Sequence, residues 1–257
     1  MIPYPRIDPD IVRIGPLAIR WYGVMYLIGF TASYLLVKYQ LKRKKFTLGT
    51  QDVDSLFFYL LAGLIIGARL GYVIFYSPGD YLKSPLEVFA VWHGGMSFHG
   101  GLIGCIVAGI IFCRKYRVDF WQVSDLISVT APIGLGLGRL GNFINGELYG
   151  RVTSVPWGMV FPSGGPLPRH PSELYEFLLE GVVLFLIIWF LKDRKLKPGT
   201  LTCIFLMLYG VFRFLVEFYR QPDPQLGFVF GPFTMGQALS SGMILCGAAI
   251  LFYRRRR

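Results

Sequence analysis

The chain has 257 residues, of which 54% are hydrophobic and only 16% are charged, and its apolar residues come in long runs. A water-soluble domain of this length cannot bury so many continuous apolar stretches, so the composition excludes an ordinary soluble protein. The net charge of +11 does not indicate nucleic-acid binding, because the basic residues form short clusters between the apolar runs, where anionic headgroups and membrane topology account for them.

Seven apolar segments are long enough, or nearly so, to cross a hydrocarbon core that needs about 20 helical residues. They cover residues 20–38, 55–76, 97–113, 123–140, 173–191, 200–218 and 234–253. The sequence therefore predicts an all-α integral membrane protein, a bundle of seven transmembrane helices that forms a single membrane-embedded domain over residues 1–257. The residues before the first span lack the apolar core of a signal peptide, so this span is expected to remain in the mature protein.

Basic residues predict the orientation of these spans. Most Lys and Arg outside the spans fall on one side of the membrane, in residues 38–45, 114–117, 192–197 and 254–257. The positive-inside rule then places the N-terminus outside and the C-terminus in the cytoplasm. The outer side carries two longer connections, residues 77–96 and the Gly/Pro-rich residues 141–172. We expect the second to form a small extracytoplasmic cap inserted between spans four and five.

The sequence has three histidines, His93, His99 and His170, and with this topology all three lie at or near the outer face. His99 lies in the glycine-rich residues 94–101 at the start of the third span, where a general base can meet a substrate. The alternative is a histidine that is merely hydrogen-bonded at a helix start. His93 is expected to have no catalytic role, and His170 is expected only to cap the fifth span.

A group of polar residues marks the outer end of span four, where Gly138–Gly150 contain Arg139, Asn142, Asn145 and Glu147. An arginine within the membrane costs about 3 kcal/mol even on a lenient insertion scale, so it should face the protein interior. There it would bind a carboxylate or an anion, for which phosphate is the natural candidate. The alternative is that Arg139 snorkels to the interface, although its polar neighbours need partners too.

Span six contains Arg213, Glu217 and Arg220, which are spaced i, i+4 and i+7 and share one helical face with Tyr209. Glu217 can therefore bridge both guanidinium groups, and one positive charge remains for an anion. A purely structural salt-bridge ladder is the alternative.

Arg69 lies about 20 Å into span two, toward the outer side. Three intramembrane arginines, Arg69, Arg139 and Arg213, are thus expected to converge on one leaflet. Tyr22 and Tyr26, near the start of span one, are on periodicity alone typical of an aromatic belt.

The segment Gly138–Gly150 resembles the signature of the prolipoprotein diacylglyceryl transferase family, G-R-x-G-N-F-x-N-x-E-x-x-G, with every fixed position present. Other segments are similar to the same family in the same order: residues 20–23, 67–72, 94–101, 169–173 and 213–223. The resemblance implies a transferase of the bacterial inner membrane. Such an enzyme moves the sn-1,2-diacylglyceryl group from phosphatidylglycerol to the lipobox cysteine thiol of a prolipoprotein, forming a thioether and releasing glycerol 1-phosphate.

The resemblance also implies roles for individual residues. The catalytic residues are His99 as the base for the thiol, Arg139 and Arg213 on the departing phosphate, and Tyr22. Substrate binding is implied for Arg69, Tyr72, Asn142, Asn145, Glu147, Gly150, Tyr209, Glu217 and Arg220. The expected partners are phosphatidylglycerol, membrane lipid and a prolipoprotein signal peptide. No cofactor is expected, and no metal, because three scattered histidines offer no convincing ligand set.

The intramembrane arginines also allow a second class of protein, a transporter for an anionic solute. The helix-breaking run Ala131–Gly138 is consistent with the discontinuous helices of transporters. A transporter would place its charges near the membrane midplane, whereas here they gather toward one face. A seven-span signalling receptor shares the topology but gives no reason for the buried arginines.

Overall fold

The computed structural model describes residues 2–5, 7–15, 17–43, 46–90, 94–222, 228–231 and 233–256. The helices are α1 (Trp21–Arg43), α2 (Val53–Phe75), α3 (Pro78–Lys83), α4 (Phe98–Tyr116), α5 (Phe120–Asn145), α6 (Ser172–Glu176), α7 (Leu184–Leu191), α8 (Thr200–Val216) and α9 (Met235–Arg256). A π-helical segment, Phe177–Val183, joins α6 and α7 into one continuous helix, and 3₁₀ turns cover Thr50–Asp52 and Pro85–Phe89. The strands β1 (Asp10–Ile14) and β2 (Leu17–Arg20) form one antiparallel hairpin, and β3 (Phe228–Phe230) and β4 (Phe233–Thr234) form another.

Within the described residues, a long helix lies at the place of each predicted span. Four helices are long and apolar enough to cross a membrane on length and composition alone: Thr50–Phe75, Phe98–Tyr116, Ser172–Leu191 and Met235–Arg256. Helix α8 is apolar but shorter, and α1 and α5 have 23 and 26 residues, about 35 and 39 Å of helix. The prediction of an all-α membrane protein is confirmed.

The distribution of exposed and buried side chains also fits a lipid environment. Phe58, Phe190 and Leu245 are 69%, 72% and 70% exposed, whereas Glu176 and Glu180 are completely buried. Large apolar side chains on the outside of long helices are covered by lipid, and charged side chains are kept inside.

Two features differ from the sequence prediction. Helix α5 runs through Pro132 without interruption and continues to Asn145, beyond its predicted end at residue 140. Glycine in α5 allows close contacts, as at Gly141, where a Cβ would lie 2.8 Å from a ring carbon of Tyr22. The β1–β2 hairpin was not predicted, although Gly15, with a positive φ of 58°, marks its turn.

The chain forms two compact units, one made of Met1–Val37 and Ser124–Arg257, the other of Lys38–Val123. In the second unit, α2 and α4 approach closely at glycines. A Cβ on Gly71 would lie 2.7 Å from the Cα of Gly100. Small residues at such positions let two membrane helices pack backbone against backbone.

In the first unit, α5 packs on the π-helical segment, where Gly136 and Gly181 face each other. A Cβ on Gly136 would lie 2.9 Å from the Cα of Gly181, and a Cβ on Gly181 would lie 2.8 Å from the Cα of Gly136. At the start of α5, the Asp125 carboxylate accepts hydrogen bonds from the backbone N–H groups of Gly199 and Thr202, at 2.7 and 2.8 Å. These contacts fix α5 against α8 at one end and against the π-helical segment nearer the other.

The segment between α5 and α6, residues 146–171, is held by backbone pairing and a small apolar core. Val152 and Met159 each form a bridge with Arg169. Phe143, Met159 and Phe161 form the core, and Tyr4 packs against it. The Tyr4 hydroxyl donates a hydrogen bond of 2.6 Å to the Phe143 carbonyl, which attaches the N-terminal residues to the end of α5 beside this segment.

Candidate active site

Three arginines and three glutamates form a buried group in the first unit, which we call the charge cluster: Arg139, Glu176, Glu180, Arg213, Glu217 and Arg220. Glu176 lies between two arginines. Its Oε2 is 2.9 Å from Nε of Arg139, and its Oε1 accepts a hydrogen bond from Nη1 of Arg213. Two guanidinium groups from different helices therefore meet at one carboxylate.

The other two carboxylates complete the charge cluster. Glu217 Oε2 is 3.1 Å from Nη2 of Arg213 and 3.9 Å from Nη1 of Arg220. Glu180 is farther away, with its two oxygens 3.9 Å from Arg139 Nε and 3.8 Å from Arg213 Nη1. Both oxygens of Glu180 are buried and make no hydrogen bond with any described residue.

The packing of α5 explains why these side chains meet. Gly136 contacts Gly181 in the π-helical segment, and Arg139 follows Gly136 by about one helical turn. Arg139 is thereby placed against Glu176 and Glu180, which lie one turn apart on the neighbouring helix. Because a lone charge inside an apolar helix pair is costly, pairing of this kind is required for burial.

For span six, the predicted contacts of Glu217 are confirmed, but the predicted net positive charge is wrong. Glu217 contacts both Arg213 and Arg220, as the i, i+4, i+7 spacing predicted. The expected excess of one positive charge does not remain, because Glu176 and Glu180 supply two further carboxylates. A signal was present in the sequence, since Glu173, Glu176 and Glu180 recur at i, i+3 and i+7 and so share one helical face.

Further residues surround the charge cluster. Tyr209, predicted to bind substrate, is partly buried on α8 and interacts electrostatically with Arg139, Glu180 and Arg213. Thr234, just before α9, donates a hydrogen bond of 3.0 Å from its hydroxyl to Oε1 of Glu217. The α9 side of the unit thus orients the carboxylate that faces Arg213.

The end of α5 carries a second polar group. The side-chain amides of Asn142 and Asn145 donate to the same oxygen of Glu147, at 2.9 and 3.1 Å. Glu147 is exposed, whereas Asn142 is buried. Tyr22 lies next to this group and interacts electrostatically with both Glu147 and Arg139. The structure thus brings these four predicted residues together near one end of α5.

Gly150 has a structural reason to be glycine. A Cβ there would lie 2.5 Å from the Tyr219 carbonyl oxygen and 2.7 Å from Cβ of His170. Its N–H donates to the His170 carbonyl at 2.8 Å, and it pairs with Arg220 in a β-bridge. Gly150 therefore ties the 146–171 segment to the residue that completes the charge cluster.

The expectation that His170 caps the fifth span is wrong. Pro171 occupies the N-cap position and makes no side-chain capping bond, while Nδ1 of His170 is 3.0 Å from the hydroxyl of Tyr175. Burial lowers the pKa of His170, which favours a neutral ring. The ring packs edge-on against Tyr175 and Tyr219, so its role is to pack this end of α6 and α8.

In the second unit, Arg69 is 4% exposed and donates hydrogen bonds to backbone carbonyls of the segment between α2 and α4. Its acceptors are the carbonyl oxygens of Glu87, Val88, Ala90, Gly94 and Gly95. A guanidinium group has five N–H groups, and these five bonds use all of them. All N–H groups of Arg69 are thus engaged with the backbone of residues 87–90 and 94–95.

Tyr72 and His99, the other predicted site residues of the second unit, are more accessible. Tyr72 lines a cavity of about 310 Å³ together with Ser77, Tyr81, Ser84 and Glu87. His99 lies exposed in the first turn of α4, edge-on to Phe98, and the helix is capped by the Ser97 hydroxyl. His99 is not needed as the cap. His93 lies outside the described residues.

The fold and the charge cluster define an integral membrane protein with a polar site enclosed by apolar helices. The model of the family described as prolipoprotein diacylglyceryl transferase matches residues 9–253. The chain belongs to this family, as its sequence motifs predicted.

Individual relatives are similar over nearly the full chain. A protein of Desulfotalea psychrophila is 56% identical over 97% of this chain and 94% of its own length. A Geobacter sulfurreducens protein is 53% identical over 98% of both chains, and a Coxiella burnetii protein is 54% identical over 100% of this chain and 98% of its own. Each of the three is named phosphatidylglycerol–prolipoprotein diacylglyceryl transferase.

Proposed function

We propose that this chain moves the sn-1,2-diacylglyceryl group of phosphatidylglycerol onto the lipobox cysteine thiol of a prolipoprotein. The names of its relatives support the reaction. The observation that carries the site is the convergence of Arg139 and Arg213 on one buried carboxylate, because two guanidinium groups at that spacing can also share one phosphate.

The reaction forms a bond between the cysteine sulfur and the glycerol carbon that bears the phosphate. The carbon–oxygen bond breaks, and glycerol 1-phosphate leaves with the bonding electrons. Negative charge therefore grows on the phosphate, and preorganised guanidinium groups in a water-poor site stabilise it more than water would. Arg139 and Arg213 have this role.

The sulfur must first lose its proton, since the thiolate is the nucleophile. His99 is the proposed base, because its exposed ring is open to a substrate thiol. Asn142, Asn145 and Glu147 bind the hydroxyl groups of the glycerol headgroup, and Tyr22 contacts the headgroup beside them. Arg69 supports the reaction by binding the backbone of residues 87–90 and 94–95.

The two arginines assigned to the phosphate lie toward the ends of their helices. Arg139 is about 9 Å from the end of α5, and Arg213 is about 5 Å from the end of α8. The basic residues 192–197 precede α8 and so lie at its opposite end. If these face the cytoplasm, the site opens to the outer leaflet of the bacterial inner membrane, the N-terminus is outside, and residues 146–171 form an extracytoplasmic cap.

One argument for the alternative function, a transporter for an anionic solute, does not hold in the structure. Helix α5 is continuous through Ala131–Gly138, the run that would have broken a transporter helix. Arg139 and Arg213 also lie nearer to the ends of their helices than to the centres.

A direct test combines the purified protein with phosphatidylglycerol and a lipobox peptide. We expect release of glycerol phosphate and an increase in peptide mass by one diacylglyceryl group, measured by mass spectrometry. A peptide with serine in place of the cysteine is the control and should remain unmodified. Absence of the adduct from folded protein would refute the proposed reaction.

A further inference from the structure

Glu180 has an unusual environment within the charge cluster. It is completely buried in the middle of the π-helical segment, and it faces the two arginines assigned to the phosphate at 3.8 and 3.9 Å. Neither of its oxygens makes a hydrogen bond with a described residue. π-helical turns inside longer helices are frequent at functional sites. Glu180 is thus within ion-pair distance of both arginines but hydrogen-bonded to neither.

The formal charges of the cluster leave no place for an additional anion. Three arginines and three glutamates sum to zero, and the phosphodiester of phosphatidylglycerol brings one negative charge. An uncompensated charge in this buried site is strongly unfavourable. Protonation of one carboxylate restores neutrality. The titratable and charged groups that face Glu180 are Arg139 on α5, Glu176 on α6, Tyr209 and Arg213 on α8, and Arg220 just after it.

We propose that Glu180 takes up one proton when the lipid phosphate binds to Arg139 and Arg213. This inference rests on the proposed function. The step is balanced: the Glu180 carboxylate, a phosphodiester anion and a proton from solvent give a carboxylic acid beside a bound phosphodiester. Protonation removes the negative charge of Glu180 from beside the two arginines, so the phosphate can approach them without leaving the cluster with a net charge.

The contacts distinguish Glu180 from the other carboxylates. Glu176 is in direct contact with Arg139 and Arg213, and Glu217 is held by Thr234 as well as by Arg213. Displacing either of these breaks short contacts. Glu173 is also fully buried without a hydrogen bond, but it has no ion pair with the described arginines to exchange for phosphate. Of these four carboxylates, only Glu180 lies near both Arg139 and Arg213 without a hydrogen bond to either.

Calorimetry of lipid binding tests the proposal without any turnover. Short-chain phosphatidylglycerol is titrated into the detergent-solubilised protein, in the absence of peptide, at about pH 7.5 in buffers that differ in ionisation enthalpy. The dependence of the measured heat on the buffer gives the number of protons bound. A phosphodiester does not titrate in this range, so the protons belong to the protein. We expect uptake of about one proton per lipid.

Two isosteric variants locate the proton. Glu180→Gln should bind the lipid without proton uptake, and its Kd should lose the rise with pH, up to about tenfold per pH unit, expected of the wild type. Glu173→Gln should retain the uptake. Zero uptake by the wild type, or uptake that is lost in Glu173→Gln and kept in Glu180→Gln, would overturn the proposal. Either result leaves the proposed function intact if the peptide is still modified, whereas absence of both lipid binding and transfer would refute that function itself.

Discussion

Arg69 and Arg139 are both arginines inside apolar helices, but the structure gives them different kinds of partner. The guanidinium of Arg69 is surrounded by five backbone carbonyls of its own unit. That of Arg139 faces the carboxylates of Glu176 and Glu180. Carbonyls fixed in a folded segment cannot be exchanged for a ligand at low cost, whereas a carboxylate can move or take up a proton.

A buried arginine is therefore not in itself an anion site. Arg69 binds the backbone of residues 87–90 and 94–95, and carbonyl dipoles compensate its charge. Arg139 and Arg213 hold negatively charged groups already, which is the property required of residues that bind a lipid phosphate. Substitutions can therefore separate a loss of chemistry from a loss of stability.

The largest effect is expected at Arg139. Arg139→Lys keeps the charge, and so the neutrality of the cluster, but loses the flat guanidinium that can contact phosphate and carboxylate together. We expect peptide modification to fall about 10²- to 10³-fold in kcat/KM, as for the loss of one preorganised donor. Arg13→Lys, on the exposed β1–β2 hairpin, is the matched control and should keep its activity. Wild-type activity in Arg139→Lys would mean that the guanidinium of Arg139 is not required for the reaction.

The second largest loss of activity is expected at His99, which belongs to the same unit as Arg69. Loss of a general base typically reduces the rate about 10²-fold or more. His99→Ala should therefore lower kcat while leaving the binding of phosphatidylglycerol and its proton uptake unchanged. Both can be measured by the calorimetry described above. His93→Ala should keep full activity, and equal loss in both variants would show that His99 has no special role.

Arg69→Lys should act on stability more than on chemistry. Lysine has three N–H donors, so at least two of the five carbonyls around residue 69 lose their partner. Leaving them unsatisfied in a buried site should cost about 3 kcal/mol. We expect a lower Tm of the purified protein and a nearly unchanged KM for phosphatidylglycerol in the folded fraction. A normal Tm with a greatly raised KM would instead mean that Arg69 binds the lipid.

The sequence predicted the places of the long helices because continuous apolar runs need no knowledge of tertiary contacts. It also predicted that Glu217 bridges Arg213 and Arg220, since helical spacing is local. The partners of Arg69 could not be predicted, because its acceptors lie far along the chain in irregular backbone. The roles of Glu176 and Glu180 could not be predicted, because their partners Arg139 and Arg213 lie on other helices and spacing within one span does not reveal contacts between spans.

The smallest effect comes from two glycines with similar contacts in the two units. A Cβ at Gly136 would lie 2.9 Å from Gly181 and one at Gly71 would lie 2.7 Å from Gly100, so alanine at either position forces two helices apart at a cost of about 1–3 kcal/mol. Gly136→Ala also moves Arg139 away from Glu176 and Glu180, and we expect kcat/KM to fall about tenfold together with the Tm. Gly71→Ala should lower the Tm to a similar extent with little change in the kcat/KM of the folded protein. If both variants lost activity in proportion to their stability alone, the spacing of Arg139 from its carboxylates would not matter for the reaction.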